Sequence, residues 1–342
     1  MKNFRISFCT TCMNRLSYLK QTLAKNLDDN LDYENLEFVL LDYNSSDGLE
    51  SYIKANYSEE LKNGKLVYFK IDTIEFYDWT HSRNLVVSLA TGDIICNIDA
   101  DNFTGTGFAT YVNHVFNQAS DVFLTTYYVP LQKNDVLGRI CMLKQSFLKI
   151  GGYDERMKHY GFEDIDLIHR LERSGLRKID INNPVFLNAL PHSNTERTSN
   201  SKEGAYLKDL YIKYITGYRS ELLFHFQDGT TRQGTMINNI LFSKLEPNIP
   251  SNFSLRYNYS ILEDSWLGGF WRNGIPDNVN DFTNYYRVDS KYLREEALFF
   301  FHQISNRMIM EENTRKGTVT VKNEISKRGN LYKNFSPVPI DN

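Results

Sequence analysis

The chain has 342 residues, of which 41% are hydrophobic, 14% aromatic and 24% charged, and its formal net charge is −3. That balance belongs to a globular protein large enough for one big core plus an appendage, with too many aromatics for disorder and no basic field to hold nucleic acid. Four cysteines are too few for a disulfide framework, and neither a run of about 20 apolar residues nor a cleavable leader appears at Met1 to Arg5, so a cytoplasmic protein is expected, compatible with peripheral association at the inner face of a membrane.

Arg5 to Cys9 reads as a strand, and the following helix carries Leu16, Leu19, Leu23 and Leu27 on one face. Cys9 and Cys12 form a C-x-x-C with no second cysteine or histidine pair at metal-ligand spacing, and they read as structural. Leu36 to Asp42 is an almost wholly apolar strand of the kind buried on both faces of a parallel sheet. Leu66 to Ile71 is a third strand. A helix follows from Ser82, with Leu85, Val86 and Leu89 inward and Gly92 as its stop. Asp93 to Ile98 and Val122 to Tyr128 are strands on either side of a helix from Phe108 to Ala119, and Pro184 to Ala189 is a later strand. The alternation predicts a doubly wound α/β sheet with helices on both faces and ligands at the carboxyl ends of its strands. Past about Ser220, β-rich stretches at Leu222 to Phe226, Phe253 to Tyr259 and Thr318 to Val321, and turn signals at Asp228-Gly229 and Asn273-Gly274, suggest a small β-rich appendage with a helix near Arg294 to Met310. The expected division is 1–219 and 220–342.

The chemistry gathers at strand ends. Asp99-Ala100-Asp101 closes one strand, where two carboxylates can share a crevice and hold a hard divalent cation against a diphosphate, with Asp101 as the direct ligand and Asp99 on ribose or a metal-bound water. The plain alternative is an acidic turn. Asp42, before Asn44-Ser45-Ser46-Asp47-Gly48, can accept hydrogen bonds from a base or ribose, while Ser46 and Asp47 can equally cap a helix. Arg83-Asn84 can reach a phosphate or sit as a surface pair. After Gly151-Gly152-Tyr153-Asp154-Glu155, the acids Glu163, Asp164 and Asp166 crowd a helix start, which the macrodipole alone favours. They also suit a general base, Asp164, beside a sugar-hydroxyl clamp, Glu163. His192 can be structural, or a ligand for manganese or a similar ion.

Together these motifs resemble the GT-A fold of nucleotide-diphospho-sugar transferases, glycosyltransferase family 2 in particular. The later part of that region is similar to galactosyltransferases and polypeptide GalNAc-transferases. Phe8 to Arg15 resembles the family's first strand and Asn-Arg turn, which would put Thr10, Asn14 and Arg15 on the donor with Asp42, Asn44, Arg83, Asp99 and Gly152. Asp99-Ala100-Asp101 looks like the family's D-x-D, Gly161-Phe162-Glu163-Asp164 like its Glu-Asp element, and His192 falls where a third metal ligand is expected beside Asp101 and Asp99. The resemblance spans about residues 3 to 200. It implies a Mn2+- or Mg2+-dependent hexosyltransferase, leaning to galactose or N-acetylgalactosamine, that inverts a UDP-sugar onto a glycan or lipid-linked sugar acceptor in polysaccharide biosynthesis. Departures are Thr11-Cys12-Met13 in place of Pro-x-Tyr, and Gly161-Phe162 in place of a tandem glycine. A sugar-nucleotide nucleotidyltransferase is the first competing reading, although the loop after the first strand has none of the glycines that would cradle a triphosphate. An inactive binding protein of the same fold is the second.

Overall fold

The computed structural model describes residues 1–126, 136–216, 219–237, 254–260, 265–273, 284–289, 291–323 and 329–338. They form two compact units, one of residues 1–192 with 306–342 and one of residues 193–305.

The first unit opens with β1 (Ile6–Cys12), α1 (Leu16–Asp28), β2 (Leu36–Tyr43), α2 (Leu49–Asn56), α3 (Ser58–Asn63), β3 (Leu66–Ile71), α4 (Trp79–Leu89) and β4 (Ile94–Asn97). It continues with β5 (Asn102–Phe103), α5 (Phe108–Gln118), β6 (Val122–Thr125), β7 (Ile140–Leu143), α6 (Lys144–Lys149), α7 (Glu163–Arg173), β8 (Arg177–Asp180), a 3-10 turn at Pro184–Phe186 and β9 (Asn188–Ala189). All eight residues of β2 are buried, because side chains alternate across a strand and both faces here are covered. Ile6, Phe8, Phe38 and Leu40 pack with Leu19 and Leu23 of α1 and Val112 of α5. Cys9, Val39 and Leu41 pack instead with Val86 and Val87 of α4 and Leu167 and Leu171 of α7. Leu16, Leu19, Leu23 and Leu27 do share the buried face of α1.

Within residues 1–192, three details depart from the pattern read in the sequence. The helix expected from Ser82 begins at Trp79, because the Asp78 side chain accepts the His81 N–H and caps it. The strand expected over Pro184 to Ala189 is a 3-10 turn and then two strand residues. Pro184 has no N–H for a ladder, and Asn183 caps Val185. The strand expected to reach Tyr128 is formed through Thr125, and Tyr128 lies outside the described residues.

The second unit holds α8 (Asn194–Thr198), α9 (Lys202–Tyr206) and an antiparallel sheet of β10 (Leu207–Thr216), β11 (Arg219–Phe226), β12 (Thr231–Ile237), β13 (Ser254–Ser260), β14 (Ser265–Asn273) and β15 (Tyr285–Val288), in the order β12-β11-β10-β15-β14-β13. Asp228-Gly229 makes the turn between β11 and β12, with Gly229 at φ +79°. Gly274 and the side chains of Trp266 and Trp271 lie outside what is described.

The long helix α10 (Lys291–Arg315) starts in the second unit and ends in the first. After it Thr318 to Val321 forms no strand, although Val321 donates its N–H to Ile150 O at 3.0 Å. β16 (Leu331–Lys333) and β17 (Ser336–Pro337) then complete a nine-stranded mixed sheet, β17-β16-β3-β2-β1-β4-β7-β6-β8, in which β3, β2, β1 and β4 run parallel and β7 antiparallel. Among the described residues no helix is long and apolar enough to cross a membrane.

Candidate active site

The carboxyl ends of β1 and β2 are stitched to each other. Asn14, at φ +54°, accepts the Ser46 N–H at 2.8 Å and its own N–H goes to Ser45 Oγ at 3.1 Å. Asp47 receives the Leu16 N–H at 2.8 Å, so it holds the start of α1 rather than of α2. Asn44 donates to Ile74 O at 2.7 Å, and Thr10 donates to Ile98 O at 2.8 Å. Asp42 is fully enclosed, with Tyr68 Oη at 2.6 Å on one oxygen and the Ser45 N–H at 2.7 Å on the other. Burial pushes its pKa up, against those two hydrogen bonds. One Asp42 oxygen thus serves the turn and the other Tyr68 of β3.

Asp101 and His192 come together. β5 pairs antiparallel with β9 (Asn102 with Ala189), and Leu190 N–H binds Asp101 O at 2.8 Å. This two-residue ladder brings His192 beside the loop that follows β4, where its Nε2 stands 2.7 Å from Asp101 Oδ2. Both side chains keep a little exposure, 16% and 12%. The Tyr18 ring meets the His192 ring edge to face at 6.2 Å, and the Arg15 guanidinium lies 5.4 Å from the centre of the Tyr18 ring. An acid oxygen beside an imidazole nitrogen suits manganese or magnesium. Two donors each about 2.1 Å from an octahedral ion stand about 3.0 Å apart, close to the spacing found here.

Arg83 organises a second cluster. It is buried near the start of α4, with Nη1 2.8 Å from Asp164 Oδ1 and 3.1 Å from Glu163 Oε1, and Nη2 3.2 Å from Asp99 Oδ1. Thus Asp99 pairs with Arg83 while Asp101 pairs with His192. Tyr153 Oη donates to Asp164 Oδ1 at 2.9 Å and accepts from Asn97 Nδ2 at 2.6 Å. Gly152, at φ +69°, lets the chain turn so closely that a Cβ there would lie 2.5 Å from Asn84 Oδ1, the atom that accepts the Tyr153 N–H. Glu163 is buried, and its Oε2 has no partner among the described residues. Burial first, and then the neighbouring Asp164, lift its pKa to about 8 against the pull of Arg83. Asp166 stands apart from these acids. It is fully buried, 2.6 Å from Arg170 and 2.9 Å from Asn313, and serves the packing of α7.

Four contributors were not singled out in the sequence. Gly138 has no room for a side chain, since a Cβ there would lie 2.7 Å from Asp99 Oδ2 and 3.4 Å from Asp164 Oδ2. Tyr153 holds Asp164, and Asn97 holds the Tyr153 hydroxyl. Tyr18 flanks His192. Tyr153 and Asn97 sat inside or beside quoted motifs, whereas Gly138 and Tyr18 carried no local pattern. The C-x-x-C is structural in form: Cys9 and Cys12 are free, buried thiols whose pKa values burial pushes up.

Four acids thus face Arg83 and His192 near the carboxyl end of β4: Asp99, Glu163 and Asp164 around Arg83, and Asp101 beside His192. The chain shares 18% identity with the mannosyltransferase PcManGT from Pyrobaculum calidifontis, solved with GDP-Man and Mn2+, at a TM-score of 0.47 over 58% of this chain and 62% of that one. It shares 15% with S. aureus TarS residues 1–349, at 0.40 over 49% and 55%. With GalNAc-T7, solved with UDP, GalNAc and Mn2+, it again shares 15%, at 0.43 over 52% and 42%. The chain therefore spans less than two thirds of each of these proteins. No curated protein matches its sequence. The family model for glycosyl transferase family 2 matches residues 7–163, which run from β1 through the D-x-D to Glu163. The matched stretch, just under half of the chain, lies on the mixed α/β sheet of the first unit and is similar to that family.

Proposed function

We propose that this domain is a divalent-metal-dependent glycosyltransferase that moves a hexose from a UDP-sugar to a hydroxyl acceptor with inversion. The observation that carries this reading is the 2.7 Å pairing of Asp101 with His192 at the strand edge, beside the Arg83-centred acids. Asp101 and His192 would hold Mn2+ or Mg2+, which when bound neutralises charge on the departing diphosphate. Asp99 stays on Arg83, where it can take a ribose hydroxyl or a metal-bound water. Thr10, Asn14, Arg15, Asn44 and Gly152 shape the turns around the donor, and Asp42 holds one of those turns in place.

Asp164 is the general base. Arg83 and Tyr153 both grip its Oδ1, which leaves Oδ2 on the side of Gly138. An acceptor hydroxyl attacks poorly unless its proton is taken as the bond forms, and a fixed carboxylate can take it. Glu163, protonated near neutral pH, can donate a hydrogen bond to an acceptor or sugar oxygen. The similarity of Gly151 to Asp164 with galactosyltransferases favours galactose or N-acetylgalactosamine, and a glycan or lipid-linked sugar at the cytoplasmic face of a membrane, in polysaccharide biosynthesis, suits such a transfer.

The test is a panel of nucleotide sugars, with UDP release measured with and without Mn2+. Metal-stimulated release, lost in Asp101→Ala, supports the reading. Undiminished metal-stimulated UDP binding by Asp101→Ala would overturn the metal assignment, and an α-linked product from an α-linked donor would overturn the base.

A further inference from the structure

Arg139 is completely buried and belongs to neither group of residues above. A buried guanidinium is costly unless its donors are met. Among the described residues its hydrogen bonds all go to carbonyl and amide oxygens: Phe186 O, Phe103 O at 2.7 Å, and Asn102 Oδ1 at 3.3 Å. Its face lies 5.3 Å from the centre of the Phe108 ring. These oxygens belong to the two chain segments that form the ladder behind Asp101 and His192, namely β5 and the turn leading into β9.

The chemistry of the fork decides the next contact. A guanidinium only donates, so Asn102 must turn Oδ1 toward it. That leaves Asn102 Nδ2 facing Asp101, and it donates to Asp101 Oδ1 at 2.9 Å. One oxygen of Asp101 is thereby engaged, and the other, Oδ2, meets His192 Nε2 at 2.7 Å. We propose that Arg139 is a positioning residue for the Asp101–His192 pair, setting through Asn102 which oxygen of Asp101 faces the imidazole and fixing the ladder that delivers His192. The inference rests on the metal reading above and deepens it.

An arginine is needed because its planar fork reaches three oxygens in fixed directions, whereas an ammonium is a single point. Burial pushes the guanidinium down to about 10, so it stays charged at neutral pH. Its chain neighbour Gly138 lies beside Asp99 and Asp164, so one two-residue step borders one group of acids and reaches Asp101 through Asn102.

The test uses the full chain, with Mn2+ titrated in the presence of UDP and followed by electron paramagnetic resonance, and with metal-free crystal structures. Arg139→Lys keeps the charge and loses the fork. Asn102→Asp is isosteric, keeps an acceptor for Arg139 and replaces the donor toward Asp101 with a repelling oxygen, so it remains informative if the lysine variant misfolds. Groups behind metal ligands typically change metal affinity about 10- to 100-fold. The expected result is a loss of that size in each folded variant, with the Asp101–His192 contact opened in the metal-free structures. A folded variant that binds Mn2+ within about twofold of wild type and keeps the contact overturns the proposal. If wild type itself binds no Mn2+, the metal reading falls by itself. The metal-free structures then decide the positioning role, for it by an opened contact and against it by one that is kept.

Discussion

Two sets of aspartates lie within the first unit, and they differ in what their oxygens do. Asp42, Asp154 and Asp166 are at most 2% exposed, and each is held by several donors: Tyr68 and Ser45, Arg156 and Asn313, Arg170 and Asn313. Asp99, Asp101 and Asp164 keep side-chain exposures of 35%, 16% and 17%; Asp99 and Asp164 share Arg83, and Asp101 pairs with His192. An acid enclosed and held by its own fold is a strut. One that keeps a face to solvent can still accept from a ligand. Motif membership does not separate the two sets, since Asp42, Asp154 and Asp166 all sit in or beside recognised motifs.

The comparison can be broken most sharply at Asp164. Asp164→Asn keeps the shape and removes the basicity, so kcat should fall by about 10²- to 10⁴-fold with donor affinity nearly unchanged. Steady-state kinetics with single-turnover controls measures this, and retention of more than about a tenth of wild-type kcat would contradict the role. Asp166→Asn makes the opposite claim. It strands the fully buried Arg170 and should lower stability by about 3–5 kcal/mol, read by denaturant unfolding, while kcat per folded molecule holds. A large kcat loss in a stably folded Asp166→Asn protein would erase the distinction between the sets.

Glu163 supplies a subtler test. Its folded pKa is raised from 4.5 to about 8, so between those values the native state holds a proton the unfolded state has lost. Stability from this group is therefore full below about pH 4.5, declines as pH rises toward 8, and is level above. Glu163→Gln should remove that slope, and melting temperatures across pH 5 to 8 should flatten relative to wild type. Identical pH profiles for the two proteins would mean that Glu163 is ionised throughout. The smallest effect is expected at Gly138→Ala. Its Cβ would lie 2.7 Å from Asp99 Oδ2, so Asp99 must shift, and donor KM should rise more than kcat falls. Unchanged kinetics would show that Asp99 has room to move without consequence.

Much of this was legible in the sequence because the signals are local. The wholly apolar Leu36 to Asp42, the leucine stripe of α1 and the acids after Asp93 to Ile98 each declare themselves within one element. The pairing of Asp101 with His192 was reached through the resemblance, not through any spacing that forces it. Whether Asp42 is open or enclosed depends on Tyr68, a residue on another strand with no motif of its own. Gly138 and Arg139 are a lone glycine and a lone charge, and their meaning exists only once β5, β7 and the turn at Pro184 are assembled. The two-residue strands β5 and β9 are too short to show a period.

The end of the chain has a consequence for how the molecule is made. Tyr68 N–H is met by Asn334 Oδ1 across a sequence separation of 266 residues, and Asp72 by Tyr332 across 260. In a chain emerging from the ribosome, β3 is therefore synthesised long before β16 can lie along it, and until then its outer edge offers unpaired backbone groups to any passing strand. Closing so long a loop adds only logarithmically to the entropy cost, but contacts this distant slow folding. The nine-stranded sheet is thus finished last at the edge it began early, and a chaperone or stalled-chain experiment should find the nascent first unit sticky at β3 until residue 334 has been released.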